Sequence, residues 1–288
     1  MSGDKRSEEL VREARKLTAN KKLGQNFFVD AGRLDRIAEA VNPAPSDHII
    51  EIGAGLGFLT SALAASGARI TAIELDERLY QRLTDRFRER SNVSIVHGDF
   101  LSFDLGSLPD TRVKIAGNIP YQITSPIISR IFGEIGKPRP WLAKIEEVVM
   151  TIQLEVAERL VARPGGKDYS QLTVLKDYYF DAELLFKVPP ECFLPRPEIT
   201  SAVVRLKPHP APPVKLASSD HSLLRTIVRC GFKQRRKMLK NNLGFLKLSD
   251  REISDILRSL KINPLARAED LSLVQFGMIT DAVAALEK

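Results

Sequence analysis

Short apolar runs, typical of buried strands, alternate with amphipathic segments, typical of helices, over the first 206 residues of the chain. Strands that alternate with helices form a largely parallel sheet, and such sheets bind their ligands at the carboxyl ends of the strands. The sequence therefore predicts an open α/β sheet with a ligand site at one edge. The predicted strands are residues 48–52, 69–73, 93–97, 113–116, 147–154, 183–188 and 201–206, and the predicted helices are residues 33–41, 77–87, 125–135 and 169–179.

Three closely spaced glycines, Gly53, Gly55 and Gly57, follow the first predicted strand. Glycines at this point bring the backbone close to a ligand at the start of a helix, whose N-terminus favours polar or anionic groups. The second strand ends in Glu74, 21 residues after Gly53, where an acid is placed to bind ribose hydroxyls. The spacing is G-x-G-x-G and not the G-x-G-x-x-G of dinucleotide sites, so it favours a smaller adenosyl ligand.

The third strand is followed by Asp99 and Phe100. Asp99 is suited to accept a hydrogen bond from an adenine amine, and Phe100 is suited to lie against the adenine ring. The alternative is a turn aspartate beside a core phenylalanine. The polar ends of the neighbouring strands favour the binding role.

The fourth strand ends in Asn118, Ile119, Pro120 and Tyr121. Asn118 offers a side-chain oxygen as an acceptor, and Pro120 restricts Ile119 to extended conformations and so limits where its carbonyl points. Tyr121 offers a flat face for stacking. These residue types predict a reaction centre for a planar amine, with a simple proline turn as the alternative.

Two further segments place aromatic residues beside this edge of the sheet. Residues 22–30, KLGQNFFVD, predict either a loop folded over a ligand or an ordinary surface connection. Phe193 lies among four prolines that keep its segment extended. It is therefore expected either to project into the cleft or to cap the core.

The composition favours a polyanionic partner and gives no sign of a metal site. The formal charge is +7 and the pI is about 9.4. Two cysteines and four histidines are too scattered for a disulfide framework or a zinc site, so we expect a reducing, cytoplasmic location and no metal. The first residues are charged throughout and no uninterrupted apolar run approaches the length of a membrane span, so we expect neither a signal peptide nor a transmembrane helix. Residues 1–21 predict a flexible basic tail.

Beyond the sheet, the sequence predicts a catalytic domain over residues 22–206, a proline-rich linker over 207–220 and a helical domain over 221–288. Residues 229–247 hold seven basic side chains, no acidic one, and interleaved apolar positions. A solvated helix face is the usual meaning of a charge run. Seven cations without counter-charges instead favour phosphate contacts on an apolar-backed helix. The predicted RNA-binding residues are Lys233, Arg235, Arg236, Lys237 and Lys240.

Six motifs together resemble the rRNA adenine N6-dimethyltransferase family, and its KsgA branch above all. They are GQNFFVD, EIGAGLG, GDF, NIPY, FLPRPEITSAVVRL and FKQRRKMLKNNL. The resemblance runs from about residue 22 into the C-terminal domain. It implies a class I, Rossmann-like methyltransferase sheet with a small helical C-terminal domain. It also implies S-adenosylmethionine as methyl donor and two adjacent adenosines near the 3′ end of small-subunit (16S) rRNA as target, with the immature small subunit as partner of a monomeric enzyme.

By this resemblance, the cofactor contacts fall on Asn26, Phe28, Gly53, Glu74, Asp99 and Asn118, to which Gly55 and Phe100 are added from their positions after the strands. Two positions depart from the branch. Position 28 is Phe where the family often has Leu, and position 119 is Ile where this branch often has Leu. Ile is also usual in the Erm branch, which methylates large-subunit rRNA. An Erm-like enzyme and a non-catalytic RNA-binding assembly factor are therefore the alternatives.

The predicted mechanism relies on positioning. The target adenine leaves its stack and lies between Tyr121 and Phe193. The side-chain oxygen of Asn118 and the carbonyl of Ile119 accept the two amine hydrogens. This arrangement turns the nitrogen lone pair towards the methyl donor, and Pro120 fixes the bend between the acceptors and the ring.

Overall fold

The computed structural model describes residues 3–107, 112–211, 213–217 and 221–286. For residues 3, 4 and 21 it describes the backbone alone. Its strands are β1 (Phe27–Phe28), β2 (His48–Ile52), β3 (Arg69–Glu74), β4 (Val93–His97), β5 (Val113–Asn118), β6 (Gly133–Glu134), β7 (Lys137–Pro138), β8 (Ile145–Gln153), β9 (Phe180–Val188), β10 (Phe193–Leu194) and β11 (Ser201–Pro208). Its α-helices are α1 (Gly3–Ala14), α2 (Ala31–Val41), α3 (Phe58–Ala64), α4 (Glu77–Phe87), α5 (Thr124–Phe132), α6 (Leu154–Val161), α7 (Gln171–Tyr179), α8 (Ser222–Gly231), α9 (Leu239–Asn242), α10 (Asp250–Ser259) and α11 (Leu273–Leu286).

Seven strands form the central sheet in the order β4-β3-β2-β5-β8-β11-β9. The pairs from β4 to β8 are parallel, and β11 runs antiparallel to β8. Every residue of β2 is buried, as expected of a central strand covered on both faces. The predicted open α/β sheet is therefore present, with each predicted strand in it.

The parallel register brings the carboxyl ends of four strands to one edge. Ile52 at the end of β2 pairs with Ile73 of β3 and with Gly117 of β5. A Cβ atom added to Gly117 would lie 2.6 Å from the main-chain oxygen of Ile52, so this approach of two strands needs glycine. The residues that follow these strands therefore meet at one end of the sheet.

The chain forms two compact units. The first contains Met1–Ile131, Arg139–Ala157 and Glu183–Pro208, and the second contains Phe132–Pro138, Glu158–Ala182 and His209–Lys288. The second unit is mainly helical, as predicted for residues 221–288, and α11 packs there against α7, α8 and α10. It also takes in two earlier segments that the sequence analysis assigned to the catalytic domain, so the predicted boundary at residue 206 differs from the structure.

Side-chain bonds to main-chain oxygens explain this boundary. Within the second unit, Arg225 donates to the oxygen of Ile135 at 2.9 Å, and the hydroxyl of Tyr179 donates to the oxygen of Glu134. Phe132 stacks on Phe180 with ring centroids 4.3 Å apart. These contacts join residues far apart in sequence, which local patterns do not reveal.

The predicted linker, residues 207–220, is packed where the structure describes it. Lys207 and Pro208 complete β11. Val214 is buried, and a Cβ atom added to Gly277 of α11 would lie 2.4 Å from its Cγ2 atom. The amide of Ala217 donates to the Asp281 carboxylate at 2.9 Å. Positions 212 and 218–220 of the linker lie outside the described residues.

Helix α1 stands where the sequence predicted a flexible tail over residues 1–21. Arg6 donates two hydrogen bonds to Asp35 at 2.7 and 3.1 Å, and the Ser7 hydroxyl accepts one from the amide of Ala31 at 3.0 Å. Ala14 is buried. Two of the charged residues that suggested a solvated tail, Arg6 and Glu13, thus form ion pairs with α2 and α4, and residues 1 and 2 lie outside the described range.

The basic segment of residues 229–247 is a bent chain and not the predicted continuous helix. Helix α8 ends at Gly231, a single 3₁₀ turn follows over Phe232–Gln234, and α9 is only four residues long. The side-chain amide of Asn242 donates to the main-chain oxygens of Gly231 and Gln234 at 2.8 and 3.2 Å, so it folds α9 back on the end of α8.

Among the residues that the structure describes, no helix is long and apolar enough to cross a membrane.

Candidate active site

One cavity of the first unit opens at the carboxyl ends of β2, β3, β4 and β5, and the loop of residues 22–28 lies along it. All the residues that the sequence analysis assigned to catalysis and cofactor binding line this cavity. They are Asn26, Phe28, Gly53, Gly55, Glu74, Asp99, Phe100, Asn118, Ile119, Pro120, Tyr121 and Phe193.

The glycine turn after β2 adopts backbone angles that suit glycine. Gly53, Gly55 and Gly57 have φ values of +68°, +60° and +76°. At Gly57 space is also short, because an added Cβ atom would lie 2.7 Å from the ring of Phe87 and 2.8 Å from Leu83. The turn therefore brings bare backbone to the cavity wall just before α3.

Glu74 closes the side of the cavity next to this turn. Its carboxylate accepts hydrogen bonds from the amides of Gly55 at 2.8 Å and Asp76 at 2.9 Å. Burial raises the pKa of Glu74. Each carboxylate oxygen has a second lone pair for a ligand hydroxyl, so the position fits the ribose role predicted for it.

A side-chain bridge that the sequence analysis missed ties the loop of residues 20–26 to the end of β3. The Gln25 amide donates to Asp76 at 3.1 Å, and its oxygen accepts from the amide of Asn20 at 2.7 Å. Arg78 pairs with Asp76 at 2.7 Å and lowers the pKa of Asp76 to about 2, so this acceptor is ionised at neutral pH. Asp76 also caps α4.

The carboxamide of Asn118 is anchored through its nitrogen. This nitrogen donates to the main-chain oxygen of Asn26 at 2.9 Å, an arrangement that assigns the other end of the amide to the oxygen. The next residue is fixed through its backbone, because the amide of Ile119 donates to the oxygen of Thr151 on β8 at 3.0 Å. Residues outside β5 therefore fix the positions of both Asn118 and Ile119.

Three aromatic side chains border the cavity near Asn118. Strands β1 and β10 pair so that Phe28 lies opposite Phe193, and the two rings meet edge to face with centroids 4.8 Å apart. The hydroxyl of Tyr121 lies 2.6 Å from the hydroxyl of Ser201. Phe193 serves as a wall of the cavity and also packs in the core, so both roles considered for it apply.

Asp99 forms the turn considered for it and also lines the cavity, where the adenine-binding role stays a prediction. One carboxylate oxygen accepts a hydrogen bond from the amide of Leu101 at 2.9 Å and so forms a turn, and the side chain also lines the cavity. Phe100 is buried, at 3% exposure, yet it contributes to the same wall.

Glu51 is a second residue that the sequence analysis missed. It lies in β2, lines the cavity and is 2% exposed, and burial raises its pKa to about 8. Its Oε2 atom has no hydrogen-bond partner within the described part of the chain. An apolar strand pattern hides such a residue, because a single carboxyl among isoleucines looks like an exposed edge position.

The charges along the cavity favour a cationic ligand. Its ionisable carboxyl groups are those of Glu51, Glu74 and Asp99, and the cation among the lining residues is Lys22. Because Glu51 ionises only near pH 8, a cationic ligand such as S-adenosylmethionine, a sulfonium and ammonium compound, would favour its charged form, whereas the pyrophosphate of a dinucleotide would oppose it. No group of three or more potential metal ligands occurs among the described residues.

The five predicted RNA-binding residues, all in the second unit, divide into two sets. Arg235 donates to the main-chain oxygens of Lys167 and Tyr169 at 2.6 and 3.1 Å and to Glu269 at 2.9 Å, and Lys240 lies 3.6 Å from Asp250. The other three are exposed and have no ion-pair partner among the residues described. They are Lys233, Arg236 and Lys237.

Comparison with known proteins gives a consistent result. Residues 16–284 match the family model "Ribosomal RNA adenine dimethylase". Ribosomal RNA small subunit methyltransferase A of Pseudomonas putida is 39% identical over 92% of this chain and 95% of its own length, and the protein of that name from Moorella thermoacetica is 38% identical over 94% of each chain.

Two solved structures extend this similarity to the fold. The 23S rRNA methyltransferase ErmE superposes with a TM-score of 0.70 at 27% identity, over 90% of this chain and all of its own. A dimethyladenosine transferase from Plasmodium falciparum superposes with a TM-score of 0.69 at 25% identity, over 86% of this chain and 94% of its own. The predicted class I methyltransferase fold is confirmed.

Proposed function

The chain belongs to the ribosomal RNA adenine dimethylase family, and on this basis we propose that it dimethylates the N6 amines of two adjacent adenosines near the 3′ end of small-subunit (16S) rRNA. Family membership confirms the predicted family and the enzyme class, an rRNA adenine dimethyltransferase. The proposal for this substrate is supported by the names of the relatives, which act on the small subunit. The immature small subunit in the cytoplasm is then the partner of a monomeric enzyme.

S-adenosylmethionine is the proposed methyl donor. Glu74 would hold its ribose hydroxyls, and Asp99 would accept from its adenine amine while Phe100 lies against the ring. The backbone of Gly53 and Gly55 gives the donor room to approach the start of α3. When bound, the donor supplies an electrophilic methyl group on a sulfonium centre, which suits the acidic cavity.

The anchored amide of Asn118 is the observation that carries the proposed chemistry. Its nitrogen is engaged by the main-chain oxygen of Asn26, so its oxygen is the end that remains to accept an amine hydrogen of the target adenine. Ile119 would accept the second hydrogen through its carbonyl, and Tyr121 and Phe193 would hold the ring that has left its stack. Pro120 sets the extended backbone of Ile119 before the turn.

These contacts would compensate for the low nucleophilicity of an adenine amine. Its lone pair is delocalised into the ring, and two acceptors in fixed positions turn it towards the methyl group. Positioning of this kind can supply about 7 to 11 kcal/mol of the barrier reduction. The methylated nitrogen is acidic, so its proton can leave to water without a strong base.

RNA binding is assigned to the exposed cations of the second unit. Lys233, Arg236 and Lys237 are exposed on the turn after α8, where phosphates can displace their counterions. Arg235 and Lys240, predicted with them, are engaged by other groups of the second unit. We therefore restrict the proposed phosphate contacts to the three exposed side chains.

An Erm-like activity on large-subunit rRNA is the second candidate. Two observations favour it, namely the superposition on ErmE and Ile at position 119, which is usual in that branch. The small subunit is favoured by the relatives at 38–39% identity and by the basic turn, which is the turn after α8 that carries Lys233, Arg236 and Lys237.

The decisive experiment offers both substrates. The protein is incubated with radiolabelled S-adenosylmethionine and either small subunits that lack the two dimethyladenosines or naked large-subunit rRNA, and the labelled bases are mapped. We expect label at the two adjacent adenosines of the small subunit. Label in large-subunit rRNA alone would establish the second candidate, and no label in either would leave a binding protein. Asn118→Ala is assayed in parallel, and we expect it to transfer far less label.

A further inference from the structure

The Tyr121 ring is fixed by a hydroxyl group that lies outside the cavity. Ser201 is fully buried, its Oγ lies 2.6 Å from the Tyr121 hydroxyl, and Ser201 is not among the residues that line the cavity. A contact of this length is a strong hydrogen bond between two hydroxyls. The far end of the ring is therefore tied down while its face remains at the cavity.

Ser201 is well placed to act as a rigid anchor. It is the first residue of β11, where it pairs with Gln153 at the end of β8. Two residues earlier in β8, the oxygen of Thr151 binds the amide of Ile119. Both ends of the segment Ile119–Tyr121 are thus hydrogen-bonded to the paired strands β8 and β11 of the sheet.

The same chain segment carries Phe193, another aromatic residue that lines the cavity. Phe193 lies eight residues before Ser201, and β10 holds it against β1. One connection between β10 and β11 therefore presents Phe193 directly and fixes Tyr121 through Ser201. Both rings line the cavity, so this one connection bears on the position of each of the two aromatic residues proposed to hold the target base.

We propose that Ser201 is a positioning residue for methyl transfer, whose buried hydroxyl holds the Tyr121 ring in the orientation on which the target base stacks. This inference rests on the proposed function, because it assumes that Tyr121 receives the base. Burial raises the pKa of Tyr121, so its hydroxyl stays protonated at neutral pH and serves as a hydrogen-bonding group rather than as a base.

The test compares Ser201→Ala, Tyr121→Phe and the double variant. Turnover and RNA KM are measured on undermethylated small subunits, and donor Kd is measured by calorimetry. Each single variant should lower kcat about three- to tenfold, the effect of one net hydrogen bond, with donor Kd unchanged. The double variant should be no slower than the slower single variant, because both changes break the same bond.

Fluorescence gives a readout that a purely structural role would not affect. A 2-aminopurine at the target position of a small-subunit rRNA hairpin is quenched when it stacks on an aromatic ring. We expect weaker quenching in Ser201→Ala than in the unchanged protein, and recovery in Ser201→Thr, which retains a hydroxyl. Ser254→Ala is the matched control, since Ser254 is also buried and donates to a main-chain oxygen in α10.

Two results would overturn the inference. In one, Ser201→Ala lowers the melting temperature but leaves kcat and quenching unchanged. In the other, Tyr121→Phe costs a hundredfold or more while Ser201→Ala costs little, which would mean that the tyrosine hydroxyl acts on the substrate itself. Tyr121→Ala distinguishes failure of the proposed function, because full activity of that variant would show that Tyr121 does not receive the base.

Discussion

The side-chain nitrogen of Asn118 donates to the main-chain oxygen of Asn26 at 2.9 Å, across 92 residues of sequence. This bond joins Asn118, the last residue of β5 and the proposed acceptor for the target base, to the loop of residues 20–26. The orientation of the Asn118 amide therefore depends on that loop. Residues 22–26 of the same loop line the cavity proposed for the methyl donor, so one loop would order both parts of the proposed site.

Asn118→Ala should reduce methyl transfer by about 100-fold or more, because it removes the acceptor that turns the amine towards the methyl group. RNA binding should change little, since the basic turn lies in the other unit. Turnover and RNA Kd measure the two effects. Asn118→Asp is the informative companion variant. It keeps the acceptor but replaces the donor to Asn26 with a negative charge, so it should also be slow, and normal turnover of either variant would refute the proposed role.

Gln25→Ala should weaken S-adenosylmethionine binding about tenfold, because it removes the bond that ties the loop of residues 20–26 to Asp76. Calorimetric titration with the donor measures the change. Gln81→Ala is a matched control, since Gln81 also donates to a carboxylate, that of Glu77 at 2.8 Å, on the exposed side of α4. Equal donor affinity in the Gln25 variant and the control would show that the bridge does not shape the site.

Donor affinity should rise with pH between 6 and 7.5, by up to about tenfold per pH unit, because a cationic ligand favours the ionised form of Glu51, whose pKa is about 8. Each binding event should release a proton. Titrations in two buffers of different ionisation enthalpy measure that release. The range stops at about pH 7.5 because the α-amino group of the donor loses its own proton near pH 7.8.

Glu51→Gln should flatten this pH dependence of donor affinity, and Glu89→Gln, at an exposed position, should not.

In the absence of donor, the raised pKa of Glu51 also determines how the stability of the folded protein changes with pH. The unfolded chain ionises Glu51 near pH 4.5 and the folded chain only near pH 8, so the native protein loses stability as pH rises through that interval. The glutamine variant should therefore melt higher than the unchanged protein at pH 7.5 and at the same temperature at pH 4. If Glu51→Gln leaves the pH dependence of donor affinity and of melting temperature unchanged, another group is responsible for the titration.

Replacing Lys233, Arg236 and Lys237 together by Gln should weaken RNA binding and reduce its salt dependence. The slope of log K against log salt should fall by about 0.7 to 0.9 for each phosphate that the variant no longer neutralises. The matched control replaces three exposed cations elsewhere, Arg88, Arg90 and Arg251. A slope that is the same in both triple variants would exclude this turn as the site of phosphate binding.

Arg235→Gln should act on stability. Its guanidinium holds the main-chain oxygens of Lys167 and Tyr169 and the carboxylate of Glu269, so its removal leaves three acceptors without their donor. We expect a fall in melting temperature of about 2 °C or more. Donor affinity should be unchanged. A normal melting temperature combined with a reduced salt slope would return Arg235 to the RNA-binding set.

The parts of the site that could be predicted from the sequence are those that follow strands. Gly53, Glu74, Asp99 and Asn118 each stand at the end of a periodic apolar run or just after it, and the geometry of a parallel sheet brings such positions together. Their convergence follows from local patterns alone. The same holds for the seven strands of the central sheet, each of which corresponds to a predicted apolar run.

The missed residues depend on contacts that no local pattern encodes. Gln25 and Ser201 act through partners 51 and 80 residues away, and Glu51 is unusual only because the fold buries it. Helix α1 was taken for a tail because its charges looked solvated, whereas Arg6 pairs with Asp35. Charge composition describes a segment, but the partner of each charge decides whether the segment is ordered.

The make-up of the second unit has a consequence for the synthesis of the protein. Tyr169, Tyr178 and Phe180 are made early, yet they are buried in a unit whose last helix, α11, ends at residue 286. During translation, about a hundred further residues are synthesised after these aromatic side chains before α11, which completes their unit, leaves the ribosome. A chain cut at residue 208 would keep the whole reaction centre and still expose this apolar surface, so we expect such a fragment to aggregate instead of acting as a free catalytic domain.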